Sequence, residues 1–144
     1  MRGGFLHNRV LVDRLDAAFQ AVGASTRLEF PTGPTSPRGF VDILATLGSV
    51  RVVCEAELRA NRVAWAVQKA VWLDVDYLLI VAPDRPTVRA IRARFDNLGT
   101  ELDVEPPREF ILTLGQALQW VSNCFPFLTP RNASAPANKE RAQR

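Results

Sequence analysis

The stretch FVDILATLGSVRVVCEAEL, residues 40–58, decides the fold of this chain. Two runs of apolar and β-branched residues, each of strand length, flank Gly48-Ser49. Glycine at the first of two turn positions is typical of a type II′ hairpin turn. The sequence therefore predicts an antiparallel hairpin in which Leu47 pairs with Val50.

The same hairpin predicts that carboxylates meet at the end away from the turn. Counting outward from Leu47 and Val50 places Asp42 directly opposite Glu55. Opposed side chains have Cβ atoms about 4.5–5.5 Å apart, and like charges at that distance are destabilising. Glu57 shares the face of Glu55, because successive side chains of a strand alternate. Mg²⁺ prefers one or two carboxylates together with water and phosphate oxygens, so the opposed pair indicates a metal site. The alternative is a solvated hairpin face, and a register slip of one residue would separate the groups.

Sequence patterns on either side of the hairpin predict the remaining elements. Apolar residues recur at helical spacing over residues 6–22, 60–73 and 115–124, and Pro86 is suited to open a further helix. STRLEF, DYLLIVA and EFILTL have strand length, and the uninterrupted apolar run of DYLLIVA is typical of a strand covered on both faces. The order α-β-β-β-α-β followed by α-β-α predicts an α/β fold, a mixed β-sheet flanked by helices on both faces.

Composition and charge predict one domain with a short tail. At 144 residues and 47% hydrophobic content the chain fits a single globular domain, predicted to span residues 1–128. Residues 129–144 hold the whole net charge of +3 and lack large apolar side chains, so a disordered basic tail is expected. No apolar run approaches the ~20 residues of a membrane span and no signal-peptide core is visible, which predicts a cytoplasmic protein without membrane contact. Cys54 and Cys124 lie in apolar surroundings typical of buried thiols.

Asp42 in GFVDIL, Glu55 in VRVVCEAEL, the following helix and the buried strand DYLLIV together resemble the core of the PD-(D/E)xK nuclease superfamily, the restriction-endonuclease-like fold. The similarity covers about residues 6–81. It implies a Mg²⁺-dependent nuclease, with Mn²⁺ as a substitute ion. Asp42, Glu55 and the backbone carbonyl of Ala56 match the family's metal ligands. Glu29, on the preceding strand, matches an acidic position that some relatives use near the metal, the alternative being a solvated strand residue.

Two positions depart from the family's motif. Val41 stands at the motif's proline, and Glu57 stands where the catalytic lysine is expected. Some relatives carry a catalytic side chain on the following helix instead, and Lys69 is the only lysine there and the only one before the tail. Lys69 is therefore predicted to be catalytic, the alternative being an ordinary surface residue of the helix. Glu57 would then be a further metal ligand, a partner of Lys69 or a base that positions water.

The expected partner is nucleic acid, DNA in the first place. Phosphates are expected to meet Arg38 in the proline-rich loop and Arg59 and Arg62 at the start of the second helix. The alternative for Arg59 and Arg62 is a charged helix start at the domain surface without such a role. Trp65 and Trp72 are predicted to pack in the core, and the resemblance implies that two copies pair. One alternative is a catalytically inactive module of the same fold, acting in DNA binding or protein assembly. A second is an unrelated α/β domain for a small ligand, for which the sequence offers no phosphate loop.

Overall fold

The computed structural model describes residues 2–33, 39–98 and 105–131, with side chains from residue 8 onward. The elements are α1 (Arg2–Ala21), β1 (Ser25–Pro31), β2 (Phe40–Leu47), β3 (Val50–Ala56), a 3₁₀ turn (Ala60–Arg62), α2 (Val63–Leu73), β4 (Tyr77–Ala82), α3 (Arg85–Leu98), β5 (Arg108–Thr113), α4 (Leu114–Asn123) and a second 3₁₀ turn (Phe125–Phe127).

The described residues form a five-stranded mixed sheet of order β1-β2-β3-β4-β5 with four α-helices. Strands β1, β2 and β3 are antiparallel neighbours, whereas β3, β4 and β5 run parallel. The predicted α/β class and mixed sheet are confirmed.

The predicted hairpin register is confirmed. Leu47 pairs with Val50, and Gly48 takes a φ of 61°, as the first turn residue of a type II′ turn requires. Regular pairing of β2 with β3 continues outward to Ile43 and Cys54. One step further lie Asp42 and Glu55, at the point where the regular ladder between the two strands ends.

Helices cover the sheet on both faces and produce two cores. Helices α1 and α4 pack on one face, where Phe19 and Phe125 meet edge to face with ring centroids 5.1 Å apart. Helices α2 and α3 pack on the other face. Every residue of β4 is buried, which accounts for its uninterrupted apolar run. Val53 belongs to the α2 side, and alternation along β3 therefore directs Glu55 toward the same side, where it meets Lys69 of α2.

Two predictions about single side chains are wrong. Trp72 is 36% exposed instead of lying in the core, and its ring meets the half-buried Trp65 edge to face at 5.4 Å. Cys124 is exposed, whereas Cys54 is buried as predicted. Among the described residues, no helix combines the length and apolar character needed to cross a membrane.

Asp76, directly before β4, connects the sheet to the C-terminal segment. Its Oδ2 accepts a hydrogen bond from the Arg51 backbone N–H at 2.8 Å, and its Oδ1 accepts one from the Arg131 backbone N–H at 2.7 Å. The Tyr77 hydroxyl donates to the Thr129 carbonyl at 2.8 Å. Three residues of the predicted tail, 129–131, are thus attached to the domain, and the rest of that tail lies outside the described residues.

Replacing Asp76 is expected to destabilise the fold strongly. Asp76 is 7% exposed, and hydrogen bonds to a charged group contribute about 1.5–3 kcal/mol each. Asp76→Ala should therefore lower the free energy of unfolding by about 3 kcal/mol, measured by urea denaturation. Asp13→Ala, at a side chain that is 61% exposed, is the matched control and should change stability by less than about 0.5 kcal/mol. Equal losses in the two variants would contradict this role of Asp76.

Candidate active site

A cavity of about 580 Å³ opens at the carboxyl end of β3, on the α2 side of the sheet. It brings together the four predicted catalytic side chains and two of the three arginines predicted to bind phosphate. Its lining consists of Asn8, Phe40, Asp42, Glu55, Ala56, Glu57, Leu58, Arg59, Asn61, Arg62 and Lys69.

Backbone hydrogen bonds fix the carboxylates where β2 and β3 separate. The Ala56 N–H donates to Asp42 Oδ2 at 2.8 Å. Where the regular ladder between β2 and β3 ends, the Asp42 carboxylate thus accepts the hydrogen bond in place of a backbone carbonyl. The Glu57 N–H donates to the Val81 carbonyl at 2.9 Å, which keeps the chain beside β4 for one residue beyond β3. Glu55 and Glu57 are 3% and 7% exposed, whereas Asp42 is half-buried. Three carboxyl groups therefore stand at one end of the hairpin with little access to water.

The burial of these groups raises their affinity for protons, and their mutual repulsion adds to the effect. Burial, and then the charge of Asp42, raises the pKa of Glu55 to about 8. Burial raises the pKa of Glu57 to about 7, although the positive charges of Arg62 and Lys69 act against the rise. Burial also raises the pKa of Asp42, in spite of the hydrogen bond from Ala56. An added cation in this cavity would favour the charged form of all three carboxylates.

Lys69 is buried beside these carboxylates and is not a surface residue of α2. The side chain is 6% exposed, and its Nζ lies 2.9 Å from Glu55 Oε1. Nζ also donates a hydrogen bond to the Phe40 carbonyl at 2.8 Å and lies 5.9 Å from the centroid of the Trp65 ring. A lysine on α2 therefore reaches the carboxylate end of the hairpin, where the ammonium is held from three sides.

The donor set fits a hard divalent cation that keeps much of its own water. In residues 8–33, 39–98 and 105–131, no group of three or more His, Cys, Asp or Glu side chains is arranged to hold a metal ion. Glu55 Oε1 is fully buried, and the Lys69 ammonium donates to it at 2.9 Å. Asp42 and Glu55 provide two carboxylates, the number that Mg²⁺ usually takes from a protein beside water and phosphate. Mg²⁺ therefore fits this cavity better than an ion that needs a full cage of side chains.

No protein-family model matches this chain, and no curated protein matches it. The resemblance to the PD-(D/E)xK superfamily therefore stays a prediction from the sequence.

Glu29 lies at the border of the site and has an unusual backbone. It is exposed, takes a φ of 49°, and interrupts the β1-β2 ladder between the pairs Leu28–Ile43 and Phe30–Val41. Its negative charge contributes to the raised pKa of Asp42. Arg38, the third arginine expected to meet phosphate, lies outside the described residues.

Four lining residues were not predicted from the sequence as site residues: Asn8, Phe40, Leu58 and Asn61. Asn8 comes from α1, and no local pattern predicts that this helix reaches the end of β2. Asn61 lies in the 3₁₀ turn before α2, where an exposed amide resembles any loop residue. Phe40 is 60% exposed at the cavity. Its position two residues before Asp42, on the same face of β2, was the available signal.

The raised pKa of Glu55 predicts that stability falls as the pH rises. The unfolded chain releases this proton near the ordinary pKa of 4.5, whereas the folded protein holds it up to about pH 8. The contribution is therefore complete below about pH 4.5 and is lost as the pH approaches 8. In EDTA, the free energy of unfolding should drop by at least about 1.4 kcal/mol, the equivalent of one pKa unit, between these limits.

Denaturation series across this pH range measure the effect. Glu55→Gln should flatten the slope, whereas Glu105→Gln, at an 88% exposed side chain, should leave it unchanged. Millimolar Mg²⁺ should stabilise the wild type more at pH 8 than at pH 5, because ligands bind metal in their deprotonated form. An identical slope in the wild type and in Glu55→Gln would show that Glu55 titrates normally.

Proposed function

We propose that this chain is a Mg²⁺-dependent nuclease of restriction-endonuclease-like fold, which hydrolyses phosphodiester bonds of nucleic acid, with DNA as the expected substrate. The observation that carries the proposal is the 2.9 Å contact between Lys69 Nζ and Glu55 Oε1, in the cavity that also contains Asp42. Two acids and one lysine are the functional groups that the resemblance requires. Here the lysine comes from α2 and not from β3.

Asp42 and Glu55 would hold the ion, with the carbonyl of Ala56 as the third protein ligand that the resemblance implies. A bound Mg²⁺ or Mn²⁺ polarises the phosphate and lowers the pKa of a coordinated water. The Ala56 N–H fixes one oxygen of Asp42, so this carboxylate is oriented before substrate binds. Asp42 therefore serves as a rigid ligand in the proposed site.

Lys69 would stabilise charge on the phosphate, and Glu57 would act as the base. The Lys69 ammonium is placed to donate to a phosphate oxygen as negative charge develops there, which is the usual role of a fixed donor in hydrolysis. Glu57, whose pKa is raised to about 7, can accept the proton of the attacking water near neutral pH. One residue thus supplies the positive charge and the other supplies the base.

Arg59 and Arg62 would bind the substrate backbone. Both are exposed and line the same cavity as the carboxylates, so their guanidinium groups can contact phosphates next to the scissile bond. The positive charge of Arg62 also acts on Glu57, which links phosphate binding to the proposed base.

The test is a cleavage assay on the purified full chain. Labelled single- and double-stranded DNA and RNA are incubated with the protein in Mg²⁺, Mn²⁺ or EDTA. We expect cleavage in the presence of either ion and none in EDTA. Failure to cut any of the four substrates by a protein that circular dichroism shows to be folded would refute the proposed activity.

A second candidate function is an inactive module of the same fold that binds DNA or assembles with other proteins. The observation that favours it is the buried 2.9 Å contact between Lys69 and Glu55, because an ammonium group beside this carboxyl group takes the place that a metal ion would have. Fluorescence anisotropy distinguishes the two functions. DNA binding that is equal in Mg²⁺ and EDTA, without cleavage, would support the module.

A further inference from the structure

The cavity of the candidate active site has one exposed aromatic wall. Of the large apolar side chains that are exposed in the described part of the chain, only Phe40 lines this cavity, and it is 60% exposed. Apart from Ala56 and Leu58, the rest of the lining is polar or charged. The proposed chemistry gives the ring of Phe40 no role, since Lys69 contacts the carbonyl of this residue. The ring is therefore a surface in the cavity whose use is still open.

The backbone that carries this ring is held firmly on both sides. The Gly39 carbonyl accepts hydrogen bonds from the Thr32 N–H and from the Thr32 hydroxyl, both at 3.1 Å. Gly39 also lies against Trp65, since a Cβ atom at this position would be 3.3 Å from the Trp65 ring. The Phe40 carbonyl accepts a hydrogen bond from Lys69 Nζ at 2.8 Å. An exposed ring on an ordered backbone can bind a flat ligand without first being ordered itself.

The ring lies beside the groups proposed to act on phosphate. The Phe40 carbonyl is 2.8 Å from Lys69 Nζ, and the same Nζ is 2.9 Å from Glu55 Oε1. Two short contacts thus separate the backbone of Phe40 from a proposed metal ligand. Arg59 and Arg62 are exposed on the same cavity and supply positive charge. Proteins bind single-stranded nucleic acid with this combination, positive groups for the phosphates and aromatic rings for the bases.

We propose that the Phe40 ring stacks on an unpaired base next to the scissile phosphate, so that the substrate is a single strand or an unpaired site in a duplex. This inference rests on the proposed function, which supplies the phosphate position. In a duplex the neighbouring bases cover both faces of each base, and a protein ring reaches a face only when the base is unpaired or flipped out. The cavity volume of about 580 Å³ falls in the range of roughly 300–1,000 Å³ that is usual for small-ligand pockets.

Stacking on Phe40 depends on the presence of a base and not on its identity. Every base has a π face, so stacking tolerates all four, whereas hydrogen bonds to base edges select among them. Truncation of a stacking residue to alanine lowers affinity by about 5- to 150-fold for each base. The expected signature is therefore a loss of affinity that requires bases in the ligand.

Oligo(dT) and an abasic oligodeoxyribonucleotide of equal length test this signature, because they share the phosphates and differ in the rings. Fluorescence anisotropy is measured with the full chain in EDTA, so that the reading does not depend on cleavage. Phe40→Ala should lower the affinity for oligo(dT) by about 5- to 150-fold and leave the affinity for the abasic strand unchanged. A residue that only supports the fold would weaken the binding of both strands.

Two further variants complete the test. Phe127→Ala is the matched control, because Phe127 is an 80% exposed phenylalanine outside the cavity lining, and it should bind both strands like the wild type. Phe40→Trp enlarges the stacking face and should bind oligo(dT) at least as tightly as the wild type. Oligo(dT) should also quench its tryptophan emission more than that of the wild type, which provides a second test if Phe40→Ala folds poorly.

The outcomes separate this inference from the proposed activity. No binding of oligo(dT) by the wild type, an equal loss on the two strands in Phe40→Ala, or no additional quenching in Phe40→Trp would overturn the stacking role. Metal-dependent cleavage of oligo(dT) by Phe40→Ala with the wild-type kcat/KM would leave the nuclease and remove the stacking role. A base-dependent loss of binding in a protein that never cleaves would leave the stacking role and remove the nuclease.

Discussion

Asp42→Asn and Glu55→Gln, made separately, should each lower the rate of metal-dependent DNA cleavage by at least about 10³-fold. Each variant keeps the size of the side chain and removes the negative charge that would hold the ion. Asp42→Asn can retain an oxygen for the Ala56 N–H, and Glu55→Gln removes a carboxylate that burial already makes costly to ionise. Both proteins should therefore remain folded while losing activity.

Single-turnover cleavage with saturating protein measures the chemical step, and calorimetric titration with Mn²⁺ measures metal affinity. Asp84→Asn is the matched control, because Asp84 lies at the start of α3 outside the cavity and its carboxylate bonds only locally to Thr87 among the described residues. It should cleave at the wild-type rate. Cleavage within tenfold of the wild type by either cavity variant would place the reaction elsewhere in the molecule.

Lys69→Met should lower the same rate by about 10²- to 10³-fold, the usual effect of removing one fixed donor from a hydrolytic site. The methionine keeps an unbranched side chain in the buried space but cannot stabilise charge on phosphate. Lys69→Arg should fail to restore the rate, since a planar guanidinium cannot occupy the space of a compact ammonium between the Phe40 carbonyl and Glu55. Gln68→Met, on the neighbouring half-buried residue outside the cavity lining, controls for an effect on α2.

A double variant examines the relocation of the lysine directly. Glu57→Lys combined with Lys69→Met returns an ammonium group to the position that the family motif reserves for it. Because Glu57 is also the proposed base, the reference is Glu57→Gln combined with Lys69→Met, which lacks the base as well. If the lysine on α2 substitutes for the motif lysine, the double variant with Glu57→Lys should cleave at least about tenfold faster than this reference. Wild-type cleavage by Lys69→Met would show that this lysine serves only to neutralise Glu55.

The most reliable predictions from the sequence concern features that residues close together in the chain determine. Gly48-Ser49 specified the turn, the turn specified the register, and the register extended one step places Asp42 opposite Glu55. Helix geometry also indicates the exposure of Trp72, which the apolar character of this residue does not. Trp72 lies nine residues after Val63, about two and a half turns at 3.6 residues per turn, and so points away from the buried side of α2.

Other features depend on contacts between distant segments. Asn8 enters the site only because α1 packs beside the end of β2, and nothing near residue 8 encodes that placement. The left-handed φ of Glu29 is a response to its place in β1, since glutamate has no intrinsic preference for that conformation. The attachment of residues 129–131 through Asp76 likewise joins segments 55 residues apart, beyond the range of any local pattern.

The hydrogen bond from the Ala56 N–H to Asp42 has a consequence for the energetics of binding. A free surface carboxylate samples several rotamers, and immobilising such a side chain on association costs about 0.5–1.5 kcal/mol. In this protein the folding of β3 against β2 has already restricted Asp42, and the contacts of Lys69 restrict the ammonium in the same way. The entropy loss is thus part of the free energy of folding, and a ligand that enters the cavity meets groups that are already ordered.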